Sequence, residues 1–358
     1  MAVHFHPLTV KNIQTDTPES IIITFHIPEN LQDTFSFIQG QNLTLKSFIN
    51  GEEIRRSYSI CSAPFENELQ VAIRKTTNGK FSGYANDYMK AGDSIEVLPP
   101  TGRFYTKLNP CNKNNYLAIA AGSGITPIIS IIKTTLNTEP NGSFTLIYGN
   151  RSRSSIMFFE ALEALKNQYM ARFNFVHILS REKTDASINS GKINAEKLTE
   201  LGKLINYNAF DEIFICGPEQ MLFCAKDYLE LQGVNKKNIH FELFTTPGQK
   251  TIETTTSKTD GDNTAQSNIT IKLDGRSVNF KLAFNSESIL DAALKQGADL
   301  PFACKGGVCS TCRAMVTEGK VSMDNNYALE NEELEQGYIL TCQSHPLTAI
   351  VSIDFDKR

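Results

Sequence analysis

The segment CKGGVCSTC at residues 304–312 carries cysteines at its first, sixth and ninth positions, and Cys342 follows 30 positions after the last of them. Three thiols this close in sequence let a single loop wrap a metal centre while its backbone N–H groups point at the sulfur atoms. Gly306 and Gly307 suit such a loop, because glycine accepts the tight left-handed backbone that wrapping requires. The segment therefore predicts a four-thiolate centre held mainly by one loop.

The spacing C-x4-C-x2-C followed by a distant cysteine is that of plant-type [2Fe–2S] ferredoxins. The alternatives are a zinc site or buried thiols that bind nothing. Zinc usually prefers two CxxC or Cys/His sets, and this chain has one CxxC. Cys61, Cys111 and Cys224 are expected to be ordinary thiols. The predicted cluster ligands are Cys304, Cys309, Cys312 and Cys342.

The composition indicates a globular protein with more than one core and argues against a nucleic-acid-binding or membrane protein. The chain has 358 residues, 41% of them apolar, so it can bury more than one core. A formal net charge of −4 offers no basic surface for nucleic acid or an anionic membrane. No segment approaches the roughly 18 apolar residues of a membrane span, and the N-terminus lacks a secretory signal pattern. The expected location is the cytoplasm, where eight cysteines indicate thiols or metal ligands rather than disulfides.

Periodicity divides the chain into three predicted domains and a linker. Residues 1–108 contain short β-rich runs such as SIIITFHI, broken by Gly, Pro and Asn, which predict an antiparallel barrel. Residues 109–245 alternate apolar strands such as NYLAIAA with helical patterns, which is typical of a doubly wound α/β sheet. Residues 246–267 are polar, lack aromatics and predict a flexible linker. Residues 268–358 combine a hairpin, a helix and the cysteine segment in a small α+β domain.

The tetrapeptide Arg56-Ser57-Tyr58-Ser59 matches the RxYS pattern of the ferredoxin–NADP reductase superfamily, which this chain resembles. Alone, the tetrapeptide also fits a strand with a surface arginine. The resemblance implies that Arg56 neutralises the pyrophosphate of FAD, that Tyr58 lies against the isoalloxazine and that Ser59 reaches N5. It also implies a β-grasp-like fold for the C-terminal domain.

A glycine turn follows the RxYS segment at the distance that the superfamily shows. The sequence GKFSG at 79–83 is expected to hold the same pyrophosphate at a helix N-terminus. Position 83 is glycine where many relatives have Asn or Thr, which argues against a side-chain phosphate contact there. The residues expected to contact FAD in this turn are Gly79, Phe81 and Ser82. Residues 100–104, PTGRF, resemble the closing barrel strand of the superfamily.

The sequence AGSGITP at 121–127 follows one predicted strand and opens a helix, as an anion-binding loop requires. Together with CGP at 216–218, it resembles the nicotinamide signature of the superfamily. The resemblance implies that Thr126 and Cys216 approach the nicotinamide ring, with Cys216 near the carbon that donates hydride. The alternative for Cys216 is a small buried filler after a strand. The predicted nicotinamide-site residues are Gly122, Gly124, Thr126, Cys216, Gly217 and Pro218.

Nucleotide choice depends on cations and hydroxyls at the ends of later strands. Ser180 and Arg181 lie where NADP-preferring members carry donors for the 2′-phosphate, and Arg151 follows the preceding strand. NADPH is therefore expected, with NADH as the alternative. Near the end of this domain, Glu242 is a candidate polar group beside the flavin and Phe244 a candidate ring cover, although both also fit an ordinary terminal strand.

These parts form an electron chain. Nicotinamide gives two electrons as hydride and a [2Fe–2S] cluster accepts one, so a flavin must stand between them. The domain order resembles oxygenase reductases, and YGNRSRSSIMFFEALEALK and RFNFVHILSRE resemble the reductases of the phenylacetyl-CoA epoxidase family of di-iron monooxygenases. The resemblance implies an oxygenase component as partner; the alternative is a different oxygenase or a desaturase. The acidic segment 330–335 is either a docking face or a solvated helix surface.

Overall fold

The computed structural model describes residues 4–244, 266–284 and 286–357. These residues form two compact units, one of residues 6–244 and one of residues 4–5 with the described part of 266–357. The predicted linker at 246–267 lies outside the described residues apart from Gln266 and Ser267, which begin the first strand of the second unit.

The first part of the larger unit is an antiparallel sheet in the order β4-β3-β6-β1-β2-β5. An isolated bridge between Ile60, just after β4, and Val71 of β5 brings the two outer strands together, which closes the sheet into a barrel. Leu8, Ile23 and Leu43 fill its interior with no exposed surface. Its elements are β1 (His6–Thr17), β2 (Ser20–His26), β3 (Asn42–Ile49), β4 (Glu52–Ser59), β5 (Leu69–Arg74), α1 (Lys80–Asp87) and β6 (Ser94–Val97).

The sequence at 100–104 resembles a closing barrel strand, and this expectation is wrong. Thr101 pairs with Asn42 as an isolated bridge and the ladder goes no further. Gly102 has φ +112°, so the backbone leaves the extended conformation directly after that pair.

The second part of the larger unit is a parallel sheet in the order β11-β10-β7-β8-β9. The strands are apolar because helices cover the sheet; Leu117, Leu146 and Phe214 have no exposed surface. The order reverses beside β7, and in open α/β sheets that position forms a crevice at the carboxyl ends of the strands. The elements are β7 (Asn115–Ala121), α2 (Ile125–Thr138), β8 (Ser143–Asn150), α3 (Phe159–Gln168), β9 (Phe173–Leu179), α4 (Ala195–Leu201), β10 (Glu212–Gly217), α5 (Glu219–Leu231) and β11 (Ile239–Leu243).

The smaller unit contains a mixed sheet in the order β13-β12-β18-β14-β16 and a two-stranded sheet of β15 and β17. The predicted hairpin at Asp274-Gly275 is present, and both residues have positive φ, at +54° and +69°. Ser288 begins the predicted helix by accepting the Asp291 N–H at 3.2 Å. The elements are β12 (Gln266–Leu273), β13 (Arg276–Ala283), α6 (Ile289–Lys295), β14 (Arg313–Glu318), β15 (Val321–Met323), α7 (Asn331–Glu335), β16 (Tyr338–Leu340), β17 (Ser344–Pro346) and β18 (Ile350–Asp354).

The fold class expected from the sequence is confirmed in each part: an antiparallel barrel, a parallel α/β domain and a small α+β unit. None of the helices in the described ranges combines the length and the apolar character that crossing a membrane requires.

Candidate functional site

Strand β4 carries the RxYS residues at the end of the barrel. Arg56 is half-buried, and its Nη1 donates to the carbonyl of Arg55 at 2.7 Å. The Tyr58 ring lies 5.6 Å from the Phe81 ring, centroid to centroid, with the planes tilted by 41°. Burial raises the pKa of the Tyr58 hydroxyl, and the nearby charge of Arg56 opposes this, so the phenol stays neutral. The strand therefore holds a cation and an aromatic ring beside helix α1.

The glycine turn before α1 is tightly closed. A Cβ built on Gly79 would lie 2.1 Å from Oγ1 of Thr76 and 2.3 Å from Oγ of Ser82, so a side chain here would displace both hydroxyls. The Ser82 hydroxyl accepts the Thr76 N–H at 3.1 Å, so it closes the turn. Phe81 is 1% exposed and packs in the barrel core. Of the three residues predicted here to contact FAD, Gly79 and Ser82 shape the turn and Phe81 anchors it; Thr76 was not anticipated.

The two nicotinamide motifs meet although they are far apart in the chain. A Cβ built on Gly124 would lie 2.1 Å from the carbonyl oxygen of Cys216 and 2.7 Å from the nitrogen of Gly217. Gly122 has φ +54°, and its carbonyl accepts the Tyr148 hydroxyl at 2.9 Å. The absence of a side chain at Gly124 thus brings the N-terminal turn of α2 against the end of β10.

Two further residues of these motifs open helices. Thr126 is 3% exposed, and its Oγ1 donates to the carbonyl of Ser123 at 3.0 Å. Pro218 stands directly before α5, where its missing N–H costs no helical hydrogen bond. Both therefore stabilise the turns at the crevice.

The three residues predicted to act in catalysis beside the flavin and the nicotinamide, Ser59, Cys216 and Glu242, come together from different elements. The Ser59 Oγ donates to Oε2 of Glu242 at 3.1 Å, although the two are 183 positions apart. Glu242 on β11 is the register partner of Cys216 on β10. Cys216 has no exposed surface. Burial raises its pKa and the charge of Glu242 adds to this, so Cys216 is a neutral thiol.

The predicted 2′-phosphate residues lie side by side at the ends of β8 and β9. The Ser180 N–H donates to the carbonyl of Asn150 at 2.9 Å, and the Arg181 N–H to that of Arg151 at 2.8 Å. Both arginine side chains are exposed. The strand ends therefore present two cations on adjacent chain segments, as a bound anion requires.

The four cluster cysteines form two hydrogen-bonded pairs, Cys304 with Cys309 and Cys312 with Cys342. The hydrogen bond from Cys304 lowers the pKa of Cys309, against the effect of burial. The hydrogen bond from Cys312 likewise lowers the pKa of Cys342, and a backbone donor at Gly307 adds to this. The same hydrogen bonds raise the pKa of Cys304 and Cys312, so each pair holds a proton that iron would displace on binding.

Backbone donors surround the first pair. The Gly306 N–H donates to Sγ of Cys304 at 3.3 Å, and the Cys304 N–H to Sγ of Cys309 at 3.5 Å. The left-handed residues of this loop are Lys305, Gly307 and Ser310, with φ of +51°, +78° and +51°, so Gly307 takes the expected conformation and Gly306 does not. Donors at the sulfurs and two separate thiol pairs fit a [2Fe–2S] cluster, in which each iron takes two thiolates.

A single metal ion fits less well. The zinc alternative requires four ligands around a single point. The paired arrangement of the thiols therefore favours the binuclear cluster.

A buried ion pair lies behind the cysteine loop, and no pattern in the sequence indicated it. Nε of Arg313, next to Cys312, lies 3.1 Å from Oε1 of Glu333, and the two side chains are 17% and 6% exposed. The Arg313 guanidinium also lies 3.9 Å above the Tyr338 ring. Glu333 is thus an internal residue, so the acidic segment 330–335 is not a solvated surface throughout.

Three family descriptions match the chain: an oxidoreductase FAD-binding domain at residues 7–105, an oxidoreductase NAD-binding domain at 118–227 and a 2Fe-2S iron–sulfur cluster binding domain at 271–347. The structure of phthalate dioxygenase reductase, described as a modular structure for electron transfer from pyridine nucleotides to [2Fe–2S], aligns with a TM-score of 0.59 at 20% identity and covers 98% of each chain. At 20% sequence identity, this similarity is evidence for a shared fold. Together these matches define an NAD- and FAD-binding iron–sulfur oxidoreductase.

Two relatives are similar over almost their whole length. The 1,2-phenylacetyl-CoA epoxidase of Escherichia coli (strain K12) has a component that is 46% identical over 99% of this chain and 98% of that component. The ferredoxin reductase component of 3-ketosteroid-9-alpha-monooxygenase from Rhodococcus rhodochrous is 33% identical over 97% of this chain and 96% of that protein. The chain belongs to the family of flavin and iron–sulfur reductases that serve oxygenases. Its electrons pass from NAD(P)H through FAD to the [2Fe–2S] cluster.

Proposed function

We propose that this chain is the NADPH-dependent reductase of a phenylacetyl-CoA epoxidase, delivering electrons to its di-iron oxygenase component. The observation that carries the proposal is the 46% identity to the Escherichia coli epoxidase component over 98% of that component's length. The relation to the 3-ketosteroid monooxygenase reductase is more distant, at 33% identity, and supports another oxygenase as the second candidate acceptor.

Bound FAD would accept hydride from the nicotinamide and release single electrons to the cluster. Arg56 and the turn around Gly79 would hold the FAD pyrophosphate, and Tyr58 would lie against the flavin ring. Ser59 donates a hydrogen bond to Glu242, which ties the hydroxyl at the end of the barrel to the carboxylate on β11. This pair would hold a proton between the Ser59 Oγ and the Glu242 carboxylate, beside the bound flavin.

The nicotinamide would lie where the motif around Gly124 abuts Cys216. The neutral, buried thiol of Cys216 offers an uncharged surface to the ring, and a thiolate there would repel transferred hydride. Arg151, Ser180 and Arg181 would bind the 2′-phosphate, which NADPH carries and NADH lacks.

The [2Fe–2S] cluster would be held by the four paired cysteines. Low-potential clusters of this type reach about −400 mV, which suits supply of an oxygen-activating metal site. We further propose that the protein works in the cytoplasm, because its thiolate ligands require reducing surroundings.

The test combines two measurements on the full-length holoenzyme. In the first, NADPH and NADH are titrated anaerobically in separate samples while flavin absorbance and the EPR signal of the reduced cluster are followed. Flavin bleaching at lower NADPH than NADH, followed by a rhombic [2Fe–2S] signal, is expected. Cys342→Ser should keep flavin bleaching and lose the wild-type cluster signal, and Cys111→Ser, an exposed cysteine outside the cluster loop, should leave both unchanged.

The second measurement identifies the acceptor. The reductase is mixed with the oxygenase component of a phenylacetyl-CoA epoxidase and phenylacetyl-CoA, and NADPH consumption is compared with epoxide formation. Coupled turnover is expected. Turnover with a 3-ketosteroid oxygenase component and none with the epoxidase would contradict the proposed partner. It would not contradict electron transfer from NADPH through FAD to the cluster.

A further inference from the structure

A carboxylate shares the strand ends where the 2′-phosphate cations lie. Glu182 directly follows Arg181 and is exposed. Its Oε2 accepts the backbone N–H of Arg153 at 2.7 Å. This contact continues the backbone hydrogen bonds that join residues 150–151 to residues 180–181. The carboxylate is therefore held in place at the edge of the nucleotide crevice.

The surrounding charges are mostly positive. Arg151 and Arg181 are exposed next to this contact, while the Arg153 guanidinium lies 4.8 Å above the Phe159 ring. The Arg153 side chain is thus directed to an aromatic face. Its backbone N–H is directed to Glu182, so that donor already has an anionic partner.

At the ends of these strands, a cation and a carboxylate have opposite effects on the preference between 2′-phosphorylated and unphosphorylated nucleotides. In open α/β sheets the nucleotide lies at the carboxyl ends of the strands, where an acidic residue bonds the ribose 2′-hydroxyl and a cation accommodates a 2′-phosphate. A carboxylate among the cations repels a doubly charged phosphate by Coulomb interaction and exerts no such repulsion on a neutral hydroxyl.

We propose that Glu182 is a specificity-determining residue that weakens binding of 2′-phosphorylated nucleotides relative to unphosphorylated ones. It acts by its charge, and so moderates the preference that Arg151 and Arg181 create. The inference rests on the proposed function, because it takes this strand edge as the nucleotide site.

The test measures binding, by isothermal titration calorimetry of the full-length holoenzyme with 2′,5′-ADP and, separately, 5′-ADP. The variant Glu182→Gln keeps an oxygen that can accept from Arg153 and removes the charge. We expect it to bind 2′,5′-ADP roughly two- to fivefold more tightly, the effect of removing one partly solvated charge, with 5′-ADP binding unchanged. Asp185→Asn is the matched control, since Asp185 is an exposed acid three residues along the same loop.

The outcomes separate the inference from the proposed function. Equal changes for both ligands, no change, or the same gain from Asp185→Asn would overturn the role of Glu182. A wild-type protein that binds 5′-ADP as tightly as 2′,5′-ADP would contradict the NADPH preference alone, and the ratio between variant and wild type would still decide the inference. Binding of neither ligand by the wild type overturns both.

Discussion

The backbone at Gly124 lies against the backbone of Cys216, so closely that a Cβ on Gly124 would stand 2.1 Å from the Cys216 carbonyl oxygen. Real side chains do not approach backbone at that distance, and the obstacle is a main-chain atom that cannot rotate away. The contact joins the turn before α2 to the end of β10. The geometry of the proposed nicotinamide crevice therefore depends on the absence of a Cβ at Gly124.

Gly124→Ala should push these segments apart, at a cost of about 1–3 kcal/mol in stability. We expect at least tenfold slower flavin reduction by NADPH in stopped-flow absorbance, with FAD content retained. Gly51→Ala is the control, because nothing lies within 4 Å of a Cβ at that position, although its φ of +81° strains alanine. It should lower the free energy of unfolding by about 1–2 kcal/mol and leave flavin reduction unchanged. An unchanged rate of hydride transfer in Gly124→Ala would show that the turn before α2 and the end of β10 can separate without affecting flavin reduction.

The ion pair between Arg313 and Glu333 predicts a large effect from single substitutions. Glu333→Gln leaves the Arg313 charge largely buried without its carboxylate, which typically costs about 3–5 kcal/mol. We expect faster loss of the cluster absorbance on heating. Glu332→Gln, on the exposed side of the same helix, should behave like the wild type. If both variants lose cluster absorbance at the same rate, the cause would be the removal of a negative charge from the helix and not the loss of the ion pair.

The imidazole of His177 should make the larger unit sensitive to acid. Burial among aromatic rings lowers its pKa to about 4, and the charge of Arg153 adds to this. An unfolded chain protonates this residue near pH 6.5, so the stability it contributes is complete above pH 6.5 and is lost as the pH falls towards 4. His177→Phe should therefore flatten the decline of the melting midpoint over that range, measured by differential scanning fluorimetry. His26→Gln, at an exposed position, should keep the wild-type slope; identical slopes in all three proteins would contradict the prediction.

Asp16 of the barrel should stabilise the start of helix α3. Its two carboxylate oxygens accept the Phe158 N–H at 3.0 and 3.2 Å, and Phe158 has a left-handed backbone with φ +57°. Asp16→Ala removes this acceptor and should lower the free energy of unfolding by about 1–3 kcal/mol in urea titrations. Asp33→Ala, at an exposed acid elsewhere in the barrel, should change it by less than about 0.5 kcal/mol. A comparable decrease in the free energy of unfolding in both variants would show that Asp16 has no specific role.

Much of the fold followed from local patterns. The β-rich run SIIITFHI predicted a barrel strand, and the glycine loop after NYLAIAA predicted the start of α2. The strand expected at 100–104 failed because Gly102 takes a backbone conformation that the residue pattern does not reveal. The roles assigned to Phe81 and Ser82 remain predictions, and their contacts within the barrel and the turn were not visible in sequence.

The chemical groups of the electron chain could be read from residue order: four cysteines at ferredoxin spacing, the RxYS segment and two glycine loops. Each is local, because a loop that wraps a cluster or a phosphate must draw its donors from neighbouring residues. Folding in three dimensions was needed to show that Ser59 meets Glu242 across 183 positions and that Arg313 is paired with Glu333. Such contacts depend on how strands and helices pack, and packing joins residues whose separation along the chain carries no signal.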